Sequence, residues 1–187
     1  MTRLALVMIA KDEAGSIARA LESARPHVER LVVLDTGSTD ETRRIAEGCG
    51  AQVHPFAWCD DFAAARNAAL ARSDADWNLV LDADEWIEGD AEALGPDTLP
   101  EGGGGFLGEA RIASTIDQPG AGGVGQAWIA RILPRGVTYE GRIHEQPVSA
   151  LPRRRLPLTL GHDGYTVANL ARKGARNETL LMRELGE

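Results

Sequence analysis

The sequence predicts an α/β protein with a mostly parallel central sheet, an antiparallel extension and flanking helices. Three observations lead there. Uninterrupted apolar runs recur through the first 90 residues, as strands buried on both faces require. Between the runs, apolar residues fall at helical spacing. The resulting β-α-β-α-β-α-β order implies right-handed crossovers and parallel neighbours.

Residues 4–9 form the first run, and Ile17, Ala20, Leu21 and Ala24 then mark one helical face that Pro26 closes. Residues 31–34 are a second buried strand. Ser38 with Glu41 three positions on reads as a capping box that opens a helix through Ile45 and Ala46, closed by Gly48 and Gly50. Residues 53–56 fit a third strand. Asp60 or Asp61 caps a helix carrying Phe62, Ala65, Ala69 and Leu70, and residues 77–81 fit a fourth strand. Beyond residue 90 the pattern is less regular. Strands are expected over 106–112, 127–133 and 156–160, glycine-dense loops over 102–105 and 119–125, and helices from Val167 onward.

Ligands of open parallel sheets sit beyond the carboxyl ends of the strands. Three polar clusters land there: Lys11-Asp12-Glu13, residues 35–40, and Asp82-Ala83-Asp84-Glu85.

Composition narrows the partners. A net charge of −8 over 187 residues gives nucleic acid or an anionic membrane no broad attraction. A polyanionic ligand would need local basic side chains or a metal. No stretch approaches the roughly 20 apolar residues of a membrane span. Residues 4–10 after Arg3 mimic a signal peptide, but the run is short and meets Lys11-Asp12-Glu13 at once, so a buried strand and a cytoplasmic location are expected. Cys49 and Cys59 make neither a disulfide framework nor a zinc cluster.

Asp82 and Asp84, one residue apart just past a strand, could hold a hard cation that absorbs charge on a diphosphate leaving group. Two aspartates after a strand are also ordinary turn formers. Context separates the readings: an apolar strand before them, Trp77 and Trp86 on either side, and Asp35 at the matching tip of another strand.

With these segments in view, the chain resembles family 2 glycosyltransferases of the GT-A fold, in the branch of lipopolysaccharide-core and peptide S-glycosyltransferases. The matching segments are Met8-Ile9-Ala10-Lys11-Asp12-Glu13, residues 32–42 with Asp35-Thr36-Gly37-Ser38-Thr39-Asp40, and residues 62–70 around Arg66-Asn67. They continue with residues 77–85, Gly141-Arg142-Ile143-His144-Glu145-Gln146 and Gly161-His162-Asp163-Gly164-Tyr165. The resemblance implies one domain over 1–187, with a nucleotide-sugar half (1–90) and an acceptor side with C-terminal helices (91–187). It implies a metal-dependent inverting transferase using a nucleotide sugar, a UDP-sugar first, with Mn²⁺ or Mg²⁺. Ala10 and Glu13 then meet the base and ribose, Asp35 the uracil imide, and Arg66 the phosphates. Asp82 and Ala83 belong to the ribose and metal motif, Asp84 is the more direct metal ligand, and His162 completes the coordination. Glu145 falls where such enzymes carry the catalytic base.

Each residue has a plainer reading. Asp35 could shape a turn, Glu13 could be a solvated acid in a first helical turn, and Arg66 could pair with Asp61. Glu145 could be a salt-bridge partner, His162 a hydrogen-bonded loop histidine, and Arg153-Arg154-Arg155 a solvated run. The acceptor could be a glycan, a lipid-linked saccharide or a peptide, and a homo-oligomer is compatible with the sequence. An inactive nucleotide-sugar-binding module is the competing non-enzyme reading. Sugar-phosphate nucleotidyltransferases are disfavoured, because Lys11-Asp12-Glu13-Ala14-Gly15 replaces their glycine-rich basic loop. Asp12 stands where the resembled family commonly has Asn.

Overall fold

The computed structural model describes residues 2–116 and 123–165; the helical pattern expected from Val167 onward lies outside them. The first half follows the expected alternation: β1 (Leu4–Ala10), α1 (Ile17–Ala24), β2 (Arg30–Asp35), α2 (Thr42–Gly48), β3 (Gln52–Pro55), α3 (Phe62–Leu70) and β4 (Trp77–Val80). Then come β5 (Glu85–Gly89), β6 (Leu107–Ile116), β7 (Gly123–Pro134), β8 (Thr138–Glu140), β9 (Gln146–Val148) and β10 (Arg153–Tyr165).

Eight strands make one sheet in the order β3-β2-β1-β4-β7-β6-β10-β5, and β8 pairs with β9 in a separate ribbon. The ladders β3/β2, β2/β1 and β1/β4 are parallel. β7 adds antiparallel to β4 and β6 to β7, β10 returns parallel to β6, and β5 closes the edge antiparallel to β10. The sheet is therefore mixed: β1 to β4 form a wholly parallel part, and the remaining ladders are antiparallel except for β10 on β6.

That order forces a curl. β4 and β5 are separated in the sheet by three strands, four spacings or about 19 Å if flat. Yet only residues 81–84 connect them, in a turn closed by Glu85 N–H donating to the Asp82 carbonyl at 3.0 Å. Five residue steps reach at most about 18 Å even when fully extended. The sheet must bend until β5 approaches the end of β4, and the Asp82-Ala83-Asp84 turn spans the mouth of the bend.

Packing follows the sequence pattern where elements are local. Helix α1 buries Ile17, Ala20, Leu21 and Ala24 in the main core, lying chiefly against β5 and α2. Trp77 is fully buried beside Phe106 and donates from its indole N–H to the Pro100 carbonyl at 2.9 Å. On the other face, α3 packs its alanines on Val7, Val32 and Leu34. Cys49 is buried at the end of α2, Cys59 is exposed, and both are free thiols. Among the described residues no helix is long and apolar enough to cross a membrane.

Three expectations change. The capping box is absent: α2 begins at Thr42 with no side-chain cap from Glu41, and Asp40 accepts from the Thr42 N–H at 2.9 Å instead. Ser38 is used elsewhere, as described below. Strand β5 and the β8/β9 ribbon were not foreseen, being too short to carry a period of their own. The third strand-forming segment of the second half runs from Arg153 to Tyr165, beyond the expected 156–160, so His162 lies on a strand and not in a loop.

Candidate active site

The tips of β1 and β2 are stapled to each other by side chains. The Ser38 hydroxyl accepts from Asp12 N–H at 3.0 Å, Thr42 from Glu13 N–H at 2.7 Å and Asp40 from Ala14 N–H at 3.1 Å. In return Asp12 accepts from Thr39 N–H at 2.7 Å. Asp12 itself sits at φ 53°, the left-handed region that Asn and Asp tolerate best, so Asp in place of Asn leaves this turn intact. The residues from Asp35 to Thr42 thus serve to build the loop that holds Ala10 and Glu13. Asp35, 4% exposed, turns its carboxylate back to the N–H groups of Gly37 and Ser38.

Helix α3 supplies the opposite wall. Asp61 caps it by accepting from Ala64 N–H at 2.8 Å. One turn on, Asn67 reads the backbone of Tyr139 with both ends of its amide, at 2.9 and 2.7 Å, which docks the β8/β9 ribbon on the helix. Phe62 N–H donates to the Arg142 carbonyl at 3.0 Å. The loop joining β8 to β9, which carries Ile143, His144 and Glu145, is thereby held over the sheet's edge.

Arg66, beside Asn67, is buried in the centre. Its Nε donates to Glu145 Oε1 at 2.5 Å and its Nη2 to Asp82 Oδ1 at 2.6 Å. The other oxygen of Asp82 accepts from Arg131 Nη2 at 2.7 Å, and the same nitrogen donates to Glu85 at 2.6 Å. Glu85 also accepts from Asp82 N–H at 3.1 Å. Glu145, Arg66, Asp82, Arg131 and Glu85 form one continuous chain of alternating charge. Burial opposes the charge on Asp82, but Arg131 and Arg66 outweigh it and hold this carboxyl far below the usual range. Burial raises the carboxyl of Glu85 despite Arg131. Both guanidiniums are locked charged: burial works against them, and Asp82 overrides it.

Asp84 and His162 make a second group. Asp84, 4% exposed, has Oδ2 3.4 Å from His162 Nε2, and the other ring nitrogen lies 3.0 Å from Ser114 Oγ. Burial works against the imidazolium, yet the hydrogen bond and charge of Asp84, with Glu85 and Asp82 behind it, push the His162 pKa up. An oxygen and a nitrogen donor side by side, the histidine oriented from its far side, are a pair that would suit a divalent ion. Asp82 fits that role less well, since each of its oxygens already meets a guanidinium. Among the described residues no cluster of three or more His, Cys, Asp or Glu suited to a metal occurs.

The strand pairing that brings His162 opposite Glu85 relies on Gly161. A Cβ there would lie 2.3 Å from the Trp86 ring, which Arg19 covers at 3.6 Å on the way to its ion pair with Asp163. Gly161→Ala is expected to displace Trp86 and destabilise the fold by about 1–3 kcal/mol, the usual cost of overpacking. Urea unfolding measures it; an unchanged midpoint would show that the ring has room to move.

These parts surround a cleft of about 260 Å³ lined by residues from the tips of β1 and β2, from α3, from the Asp82–Asp84 turn, from the 143–145 loop and by His162. Of the residues singled out from sequence, Ala10, Glu13, Arg66, Asp82, Ala83, Asp84, Glu145 and His162 line it together. Asp35 does not; its neighbour Thr36 does. Arg66 pairs with Asp82 and Glu145 rather than Asp61. Sequence reasoning gave no site role to Trp58 and Phe62, an edge-to-face pair at 4.9 Å on the cleft wall, or to Arg131, and named Glu85 only as part of the strand-tip cluster. Arg131 did leave a signal: a lone charge inside the apolar strand expected over 127–133.

Comparison with known proteins bears chiefly on the first half of the chain. Residues 5–92 match the profile of Glycosyl transferase family 2. A TPR repeat-containing protein of Synechococcus elongatus is 51% identical over 85 residues, 46% of this chain and 21% of that protein. An uncharacterized glycosyltransferase of Rickettsia felis is 38% identical over 85 residues, 46% of this chain and 30% of the relative. The chain thus matches less than a third of the length of either relative. Among solved structures, glucosyl-3-phosphoglycerate synthase of Mycobacterium tuberculosis superposes with a TM-score of 0.46 at 24% identity, over 62% of this chain and 44% of that one. Over residues 5–92, just under half of its length, the chain is similar to the family 2 glycosyltransferases.

Proposed function

We propose that the cleft binds a nucleotide sugar, a UDP-sugar first, together with Mn²⁺ or Mg²⁺, and that the chain transfers the sugar with inversion to an acceptor hydroxyl or other nucleophile. The observation that carries this reading is the convergence of Arg66, Asp82, Asp84, Glu145 and His162 on one cleft at the carboxyl edge of β1, β2 and β4. Ala10 and Thr36 line the end where the base would lie, and Glu13, which lines the same cleft, would accept from ribose hydroxyls. Asp35 contributes by shaping the turn beside them.

Asp84 and His162 would hold the cation, which when bound supplies positive charge to the diphosphate leaving group. Arg66 keeps a fixed charge at the same place, and Asp82 keeps Arg66 oriented. Glu145 uses Oε1 to accept from Arg66, which leaves Oε2 to take the proton of the attacking acceptor. As the acceptor oxygen bonds to the anomeric carbon, the bond from that carbon to the diphosphate oxygen breaks on the opposite side. A glycan, a lipid-linked saccharide or a peptide side chain fits this chemistry equally well as acceptor.

Screening nucleotide sugars with Mn²⁺ for release of free nucleoside diphosphate tests the proposal. Release from at least one UDP-sugar is expected. Tight nucleotide binding with no release from any donor would favour a binding module over an enzyme.

A further inference from the structure

We infer that Arg131 is a positioning residue for the reaction, set into the site by a β-bulge; the inference rests on Glu145 being the base. In the β6/β7 ladder Gly108 pairs with Ile132 and Glu109 with Ala130, which leaves Arg131 as the extra residue on β7. A bulge frees one side chain from the strict alternation of faces and re-aims it. Here it turns a guanidinium out of an otherwise apolar strand onto Asp82 and Glu85.

Holding a guanidinium at this position costs the fold something. Arg131 is 7% exposed, flanked by Ala130, Ile132 and Leu133, all buried. Its Nε is buried with no hydrogen-bond partner among the described residues. An apolar residue in a regular strand would avoid that loss, and buried ion pairs replaced by apolar residues are often neutral or stabilising.

What Arg131 does is occupy the second oxygen of Asp82. Asp82 then offers Arg66 only Oδ1, so Arg66 makes a single contact there through Nη2 and keeps Nε directed at Glu145. Without Arg131, the second Asp82 oxygen becomes available to Arg66 Nη1, which is buried with no hydrogen-bond partner among the described residues, and a two-point pair through Nη1 and Nη2 would swing the guanidinium and weaken the Nε–Glu145 contact. Arg131 therefore acts on Glu145 through two intermediaries and touches neither donor nor acceptor.

The test uses the whole chain, with Arg131→Met, Arg131→Lys, and the charge-compensated pair Arg131→Met with Glu85→Gln in case the single change does not fold. The first readout needs no substrate: hydrogen exchange of the Arg66 Nε–H, followed by ¹⁵N NMR and assigned by its loss in Arg66→Lys. Slow exchange in the parent, faster by roughly tenfold or more in the two Met variants and partly restored in Arg131→Lys, is expected for a guarded hydrogen bond. The second readout is UDP release from UDP-glucose with Mn²⁺. Arg131→Met should lower kcat on the order of 10- to 100-fold with little change in KM, and add almost nothing in a Glu145→Gln background, because residues acting as a unit are not additive. Unchanged Arg66 exchange in a folded variant overturns the inference. So does a loss that multiplies with that of Glu145→Gln. If Glu145→Gln alone keeps full turnover, the base assignment fails first and the inference falls with it.

Discussion

Glu145→Gln is expected to leave the cleft assembled and to lower turnover roughly 10²- to 10⁴-fold, the share that a positioned general base contributes. The amide oxygen of glutamine can still accept from Arg66 Nε, so the loop over the cleft keeps its anchor, along with those through Asn67 and Phe62. The exchange of a charged for a neutral acceptor should cost about 1 kcal/mol of stability. Affinity for UDP with Mn²⁺ should move by no more than about twofold, since the change removes an interaction used only as the acceptor attacks. Calorimetry for binding and UDP release for turnover separate the two quantities. Turnover within twofold of the parent would move the base elsewhere in the cleft, with His144 the neighbouring side chain to examine next. Loss of binding and turnover together would instead make Glu145 the structural partner of Arg66.

How far the sequence could be read depended on whether an element's determinants were local. Strands β1 to β4 and the buried face of α1 were legible because each burial pattern is complete within its own run. The cap of α3 was legible as Asp60 or Asp61 for the same reason, and the structure uses Asp61. The Ser38–Glu41 pattern misled because Ser38 had a competing partner 26 positions away, the N–H of Asp12, which no local rule sees. Strand β5 escaped notice because its five residues owe their extension to β10, far along the chain. The site divides in the same way. The carboxylates at strand tips were found by position, whereas the order in which they pair was not. Whether Arg66 would meet Asp61 or Asp82 depended on the curl of the sheet, and the aim of Arg131 depended on a bulge set by the register with β6. At Asp35 the sequence located the strand tip, and the structure adds the turn of Gly37 and Ser38 that its carboxylate holds.

The largest effect on binding is expected from Asp84→Ala, and the reasoning turns on which of the two aspartates a cation can use. Asp82 is the more exposed of the pair, its side chain 34% accessible against 4% for Asp84, and exposure alone would favour it. Electrostatics decides otherwise. A divalent ion at Asp82 would share its carboxylate with two guanidiniums at 2.6 and 2.7 Å, and would face their repulsion in a site partly removed from water. At Asp84 a neighbour at 3.4 Å is His162, which would become a ligand by giving up a proton and so turn from competitor to partner. In the parent, UDP is expected to bind on the order of 10- to 100-fold more tightly with Mn²⁺ than without, and Asp84→Ala should bind it equally in both conditions. Asp82→Asn should behave differently: it loosens Arg66 and Arg131, so it should weaken UDP with and without metal alike. Titration calorimetry of both variants, each with and without Mn²⁺, distinguishes the roles. If Asp84→Ala keeps the parent's metal enhancement while Asp82→Asn loses it, the cation sits among the arginines after all, and the division of labour drawn between the two aspartates is wrong.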